Sequence, residues 1–119
     1  MRNLDQIRAH NALHYLQQQF NGQAGGEVIK KLPAYILNDG LLATLAFGIQ
    51  KGNDQLEAGN VIARHLASDG IAIFQPAQGN AANGRNLLET LAAQSSDALL
   101  RRATAEALAF LNYLKRFVA

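Results

Sequence analysis

With 119 residues and 12.9 kDa, the chain has the size of one compact domain. An apolar fraction of 49% against 17% charged residues describes a chain able to bury a core, not a disordered tail. Eleven lysines and arginines against nine aspartates and glutamates leave +2, a mild basic lean at a pI of about 9.2. Zero cysteines exclude a disulfide scaffold, a thiol nucleophile and any cysteine-ligated metal site, and fit a reducing compartment.

Residues 1–20 carry Asp5 and the Gln17–Gln19 run where a signal peptide needs an unbroken apolar stretch. The longest apolar segment, Leu41 to Ile49, is interrupted by Thr44 and Gly48. It falls far short of the roughly 20 residues that cross a bilayer. The expectation is a soluble, cytoplasmic protein with no membrane partner.

The pattern is helical almost throughout. Ala9, Leu13, Leu16 and Phe20 share one face of a first helix, and Leu4, Ile7, Asn11 and Tyr15 lie on the other. Two stripes predict a helix that meets the core on one side and a partner on the other. Asn21-Gly22 and Gly25-Gly26 should stop it. A second helix is expected from Glu27 to the stop at Asn38-Asp39-Gly40, with Pro33 either opening a new first turn or kinking it. Leu41 to Lys51 reads as a nearly all-apolar third helix and the buried centre. Asp54, with Glu57 three positions on, predicts a capping box for a fourth helix that ends at Ser68-Asp69-Gly70.

Residues 71–84 form one irregular stretch, in which Ile71-Ala72-Ile73-Phe74 has no partner strand and reads as a loop or extended plug. A short fifth helix should span Leu87–Ala93, and Ser95-Ser96-Asp97 should cap the sixth. There Leu99, Leu100, Ala103, Ala107, Phe110, Leu111, Leu114 and Phe117 occupy one arc at 100° per residue. The fold class is therefore all-α: a single-domain bundle of about six helices.

Candidate catalytic patterns are incomplete. His10 and His14 have the spacing of a helical metal pair, but no glutamate follows the first and His65 is remote. Gly79 to Asn86 imitates a phosphate-binding loop, with Arg85 where the lysine belongs and Asn86 where the hydroxyl belongs. The aspartates sit at helix starts, stops and turns, and Glu106 can pair with Arg102 one turn earlier. No catalytic residue, metal or cofactor is expected.

The distribution of basic residues says more. Arg101, Arg102, Lys115 and Arg116 share the polar arc of the last helix with Asn112 and Tyr113, and Leu108 is a large apolar residue within it. Lys30, Lys31, Lys51 and Arg64 add charge on earlier helices. Such a face suits phosphate contacts that do not read sequence, and it equally suits a solvated helix surface.

Two segments are familiar as a pair. Residues 30–41, Lys-Lys-Leu-Pro-Ala-Tyr-Ile-Leu-Asn-Asp-Gly-Leu, followed by Leu45-Ala46-Phe47, resemble the hallmark of the Cmr small-subunit family. Residues 105–117, Ala-Glu-Ala-Leu-Ala-Phe-Leu-Asn-Tyr-Leu-Lys-Arg-Phe, resemble its C-terminal helix, with Tyr113 where a larger aromatic is common. The resemblance implies a small all-helical subunit of a type III-B CRISPR effector complex, without catalytic residues of its own. It implies stacking beside copies of itself and other Cmr subunits, along a groove that holds guide RNA paired with target RNA. Lys31, Lys115 and Arg116 match basic motif positions, and their assignment to RNA is an inference. The alternative is a helical protein–protein adaptor that uses Leu4, Ile7, Tyr15 and Leu108 and touches no nucleic acid.

Overall fold

Asn3 starts the first helix by exchanging hydrogen bonds with Gln6. Its Oδ1 accepts the Gln6 N–H at 2.8 Å, and its own N–H donates to Gln6 Oε1 at 2.9 Å. This reciprocal cap opens α1 (Leu4–Gln19) in a computed structural model that describes residues 3–19, 23–76, 81–93 and 96–117. There follow α2 (Gln23–Asp39), α3 (Leu41–Lys51), α4 (Asn53–Ala67), α5 (Gly84–Ala93) and α6 (Asp97–Phe117). The bundle is all-α, with no strand among the described residues.

Several boundaries depart from sequence expectation. Helix α2 begins at Gln23, so Gly25-Gly26 lie inside it rather than stopping its predecessor, and Pro33 does not end it. Proline removes one backbone donor at a cost of about 3 kcal/mol. Burial of Ile29, Leu32 and Ile36 along one face offsets that loss. The predicted breaker Asn21-Gly22 and Phe20 lie outside the described residues, as does Ser95. The expected cap on α6 forms through Ser96, whose Oγ accepts the Leu99 N–H at 3.4 Å. The Asp54–Glu57 box does not form: Gly52 caps α4 with no side-chain bond, and Glu57 pairs with Arg64 at 3.5 Å. Helix α5 starts three residues earlier than predicted, at Gly84.

The centre is α4, not α3. It packs on α1, α2, α3, α5 and α6 and buries Ala58, Val61, Ile62, Ala63 and Leu66. Helix α3 buries one side only, through Leu41, Thr44, Leu45 and Gly48, and leaves Phe47 exposed. Its approach to α4 is set by Gly48, where an added Cβ would lie 2.8 Å from the Gln55 carbonyl oxygen. Gly40 makes the α2–α3 corner at φ +92°, a conformation that side chains with a Cβ disfavour.

The 71–74 segment is the plug expected. Ile73 and Phe74 both donate their N–H groups to the Leu66 carbonyl, and Ile71 and Phe74 are buried. Burying Phe74 contributes on the order of 2–3 kcal/mol. Residues 77–80 of the loop lie outside the described residues.

Candidate nucleic-acid interface

Helix α6 exposes the arc that its sequence predicts. Ala103, Ala107, Phe110, Leu111 and Leu114 face inward, while Arg101, Arg102, Asn112, Lys115 and Arg116 face solvent. A 21-residue helix repeats its facing every 3.6 residues, so one side is inevitably left wet. Arg101 is paired one turn back with Asp97. Arg102, Lys115 and Arg116 have no ion-pair partner among the described residues. Tyr113 sits at the edge of this arc, its hydroxyl pushed up by a hydrogen bond to Asp5.

The remaining predicted basic residues divide by element. Lys30 and Lys31 are exposed on α2, which packs on α6. Lys51 is exposed at the end of α3, which packs on α2, α4 and α5. Arg64 is half-buried on α4 and engaged with Glu57.

The predicted protein-contact stripe on α1 points the other way. Ile7 and Tyr15 pack against the core, Tyr15 edge-on to Phe110 at 6.3 Å, and Asn11 is buried. On the opposite stripe Leu13 is exposed, and of the predicted contact residues on α1 only Leu4 stays open to solvent. Leu108 is also half-buried against the core. These residues are occupied in holding α1 and α6 onto the bundle, which removes Ile7, Tyr15 and Leu108 from a free surface. The exposed large apolar groups instead include Tyr35, Leu37 and Phe47 at the α2–α3 corner. Tyr35 and Phe47 meet edge-to-face at 6.3 Å over a cleft of about 180 Å³ that Asp39 also lines.

Glu106 is not part of the polar arc. Its carboxylate is buried, accepts two hydrogen bonds from Arg8, and lies 2.9 Å from His65 Nε2. The Asn11 amide donates to His65 Nδ1 and Ser68 Oγ, both at 3.0 Å, so His65 Nε2 carries the proton given to Glu106. Burial pushes the His65 imidazole down, outweighing the pull of Glu106. Burial also tends to raise the Glu106 carboxyl, but the Arg8 and His65 bonds together hold it below the usual carboxylate range. The expected Arg102 partner is thus replaced by Arg8, which is 98 residues away and carried no local signal. His65, read as remote, lies flat on Phe110 at 4.1 Å.

His10 and His14 stack at 6.4 Å on the exposed side of α1. Among the described residues no three histidine, aspartate or glutamate side chains gather as metal ligands. No helix among them is long and apolar enough to cross a membrane.

Fold and surface together define a small all-α domain that presents a cationic helix face and, apart from it, an apolar corner. The model of the CRISPR-associated protein (Cas_Cmr5) family matches residues 4–119, and the chain belongs to that family of type III-B CRISPR small subunits. It is therefore a subunit of a CRISPR-associated Cmr complex, and membership implies association with other Cmr subunits. No curated protein and no solved structure matches the chain.

Proposed function

We propose that this subunit performs no reaction of its own and stacks along the Cmr complex in the cytoplasm, lining the guide RNA–target RNA groove with the outer arc of α6. The observation that carries this reading is the set Arg102, Lys115 and Arg116: exposed on one helix arc, with no ion-pair partner among the described residues, and accompanied by Asn112. Guanidinium, ammonium and amide groups suit phosphate oxygens without reading bases. Lys30 and Lys31 extend the same charge along the adjacent helix.

The non-catalytic part of the proposal is supported by the buried polar cluster. Arg8, Asn11, His65, Ser68 and Glu106 satisfy one another, and both nitrogens of the fully buried His65 ring are occupied. Contacts with neighbouring subunits fall on the α2–α3 corner, where Tyr35, Leu37 and Phe47 are exposed. Aromatic anchors of this kind carry much of the energy of protein interfaces.

One copy at +2 binds RNA weakly, and retention depends on several copies held together. The test is charge reversal of Lys115 and Arg116 to glutamate in the assembled complex, followed by quantification of retained RNA. Unchanged retention overturns the site assignment.

A further inference from the structure

A second cleft, of about 300 Å³, opens where α3, α4 and α5 meet. Helix α5 packs on α3 and α4, whereas α6 packs on α1, α2 and α4, so this cleft belongs to a different set of helices from the cationic arc. Its lining comprises Ile49, Leu56, Asn60, Asn83 and Arg85.

The chemistry of that set is one-sided. Asn60 Oδ1 accepts the Gly84 N–H at 2.9 Å, and Asn83 Oδ1 accepts the Asn86 N–H at 2.9 Å. Each amide is thereby oriented by a bond to its oxygen, and its two Nδ2 hydrogens are the groups left without a hydrogen-bond partner among the described residues. Arg85 is exposed and has no ion-pair partner among the described residues. The lining therefore supplies three side-chain donors, no carboxylate, and two aliphatic surfaces. Gly84 allows α5 this close to α4: an added Cβ would lie 3.2 Å from the Gly59 carbonyl carbon. That approach brings Asn60 and Asn83 to one cleft from segments 23 residues apart.

A group that satisfies such a lining carries anionic oxygen acceptors together with a body that covers aliphatic carbon. Inorganic phosphate meets the first requirement and not the second. An acidic peptide supplies carboxylate acceptors but, with short methylene side chains, covers Ile49 and Leu56 less fully than a sugar and base do. We propose that this cleft binds a phosphate-bearing nucleotide unit, its phosphate at Arg85 and its sugar and base over Ile49 and Leu56, with Asn60 and Asn83 donating to base or sugar oxygens. The proposal does not need the α6 arc to bind RNA. The phosphate ester belongs either to a single-stranded RNA or to a free nucleotide.

The experiment is a titration of the ¹⁵N-labelled full chain with inorganic phosphate, adenosine 5′-monophosphate, a short oligouridylate and a short polyglutamate peptide. The signals read are the side-chain NH₂ groups of Asn60 and Asn83 and the Arg85 Nε–H. Saturable shifts of all three are expected with mononucleotide or oligonucleotide, and weaker ones with phosphate. Tighter binding of the oligouridylate identifies RNA as the source, and equal binding identifies a free nucleotide. Arg85→Glu should weaken binding roughly tenfold or more while thermal melting stays unchanged. The Lys115→Glu/Arg116→Glu variant should keep the mononucleotide shifts, which separates this site from the arc. Static Asn60 and Asn83 signals, phosphate or polyglutamate acting as strongly as the nucleotide, or an unaffected Arg85→Glu variant overturns the proposal.

Discussion

Arg8 and Glu106 meet as two parallel forks, Nε to Oε2 at 2.8 Å and Nη2 to Oε1 at 2.7 Å, clamping the first turns of α1 to the middle of α6. The Glu106 end is nearly closed to solvent, and the Arg8 end keeps 18% of its side-chain surface. Guanidinium–carboxylate pairs in this geometry are among the stronger hydrogen bonds in proteins. Because His65 donates to the same carboxylate, removing it orphans three N–H donors on two other helices.

Replacing Glu106 with alanine should therefore cost about 3 kcal/mol, the lower part of the range for breaking a buried pair, because Arg8 can reach water. Thermal melting should show it as a fall of roughly 10 °C or more. Arg8→Ala should cost less than Glu106→Ala, since His65 continues to bond the carboxylate. A Glu106→Ala variant melting with the wild type would remove the cluster from the account of stability.

The same cluster predicts acid sensitivity. His65 has its folded-state pKa lowered, so the unfolded chain takes up a proton on it, below about pH 6.5, before the folded chain does. The unfolded state then binds more protons, and stability falls as pH drops through that window. Glu106, also lowered, adds a second loss as pH falls below about 4.3 and through its folded-state value. Melting temperatures measured from pH 7.5 to pH 4 should decline from the upper window onward. A flat profile down to pH 5 contradicts the neutral, buried assignment of His65.

Gly48 is the tightest point between α3 and α4. Gly48→Ala places a methyl group 2.8 Å from the Gln55 backbone oxygen, which cannot rotate away as a side chain does. The expected destabilisation is about 1–3 kcal/mol, the ordinary cost of overpacking. Denaturant unfolding should show a lower midpoint with an unchanged slope. By helix propensity alone the substitution would stabilise, so the sign of the change decides between the two effects.

On the outer arc of α6, reversing Lys115 and Arg116 should leave the chain folded with a slightly lower melting temperature, since both are exposed but lie in the last turn, where cations suit the helix dipole. RNA retained by the complex should fall and depend less steeply on salt. Each lost phosphate contact removes about 0.7 from the slope of log affinity against log salt on a single strand, so two per copy flatten it by about 1.4. An identical slope in wild type and variant would place RNA elsewhere on the subunit.

Substitution of Phe47 and Leu37 by serine should leave the isolated chain folded, because both are exposed, yet lower its recovery with other Cmr subunits. Co-purification measured side by side with the α6 variant separates a protein contact from an RNA contact. Full recovery of the partners would dissociate the α2–α3 corner from assembly.

The helices, the inward arc of α6 and the apolar plug were legible in the chain, because period and capping chemistry are local. Leu99 to Leu114 could fold onto a core in only one rotational sense, whereas Phe117, expected on the same arc, lies exposed at the end of the helix. The motifs around residues 30–47 and 105–117 carried the family with them. Local spacing could not say which stripe of α1 turns inward, since both contain apolar residues. That choice follows from Asn11, which is buried because His65 and Ser68 lie opposite to bond it. Nor could spacing show that Glu106 leaves Arg102 for Arg8, or that Asn60 and Asn83 border one cleft, where helices must first pack before their side chains meet. Composition and periodicity thus determined an all-α domain with a cationic helix face. Tertiary packing alone decided which charges were spent in the interior and which remain for a ligand, because a polar group is buried only where the fold supplies its partner.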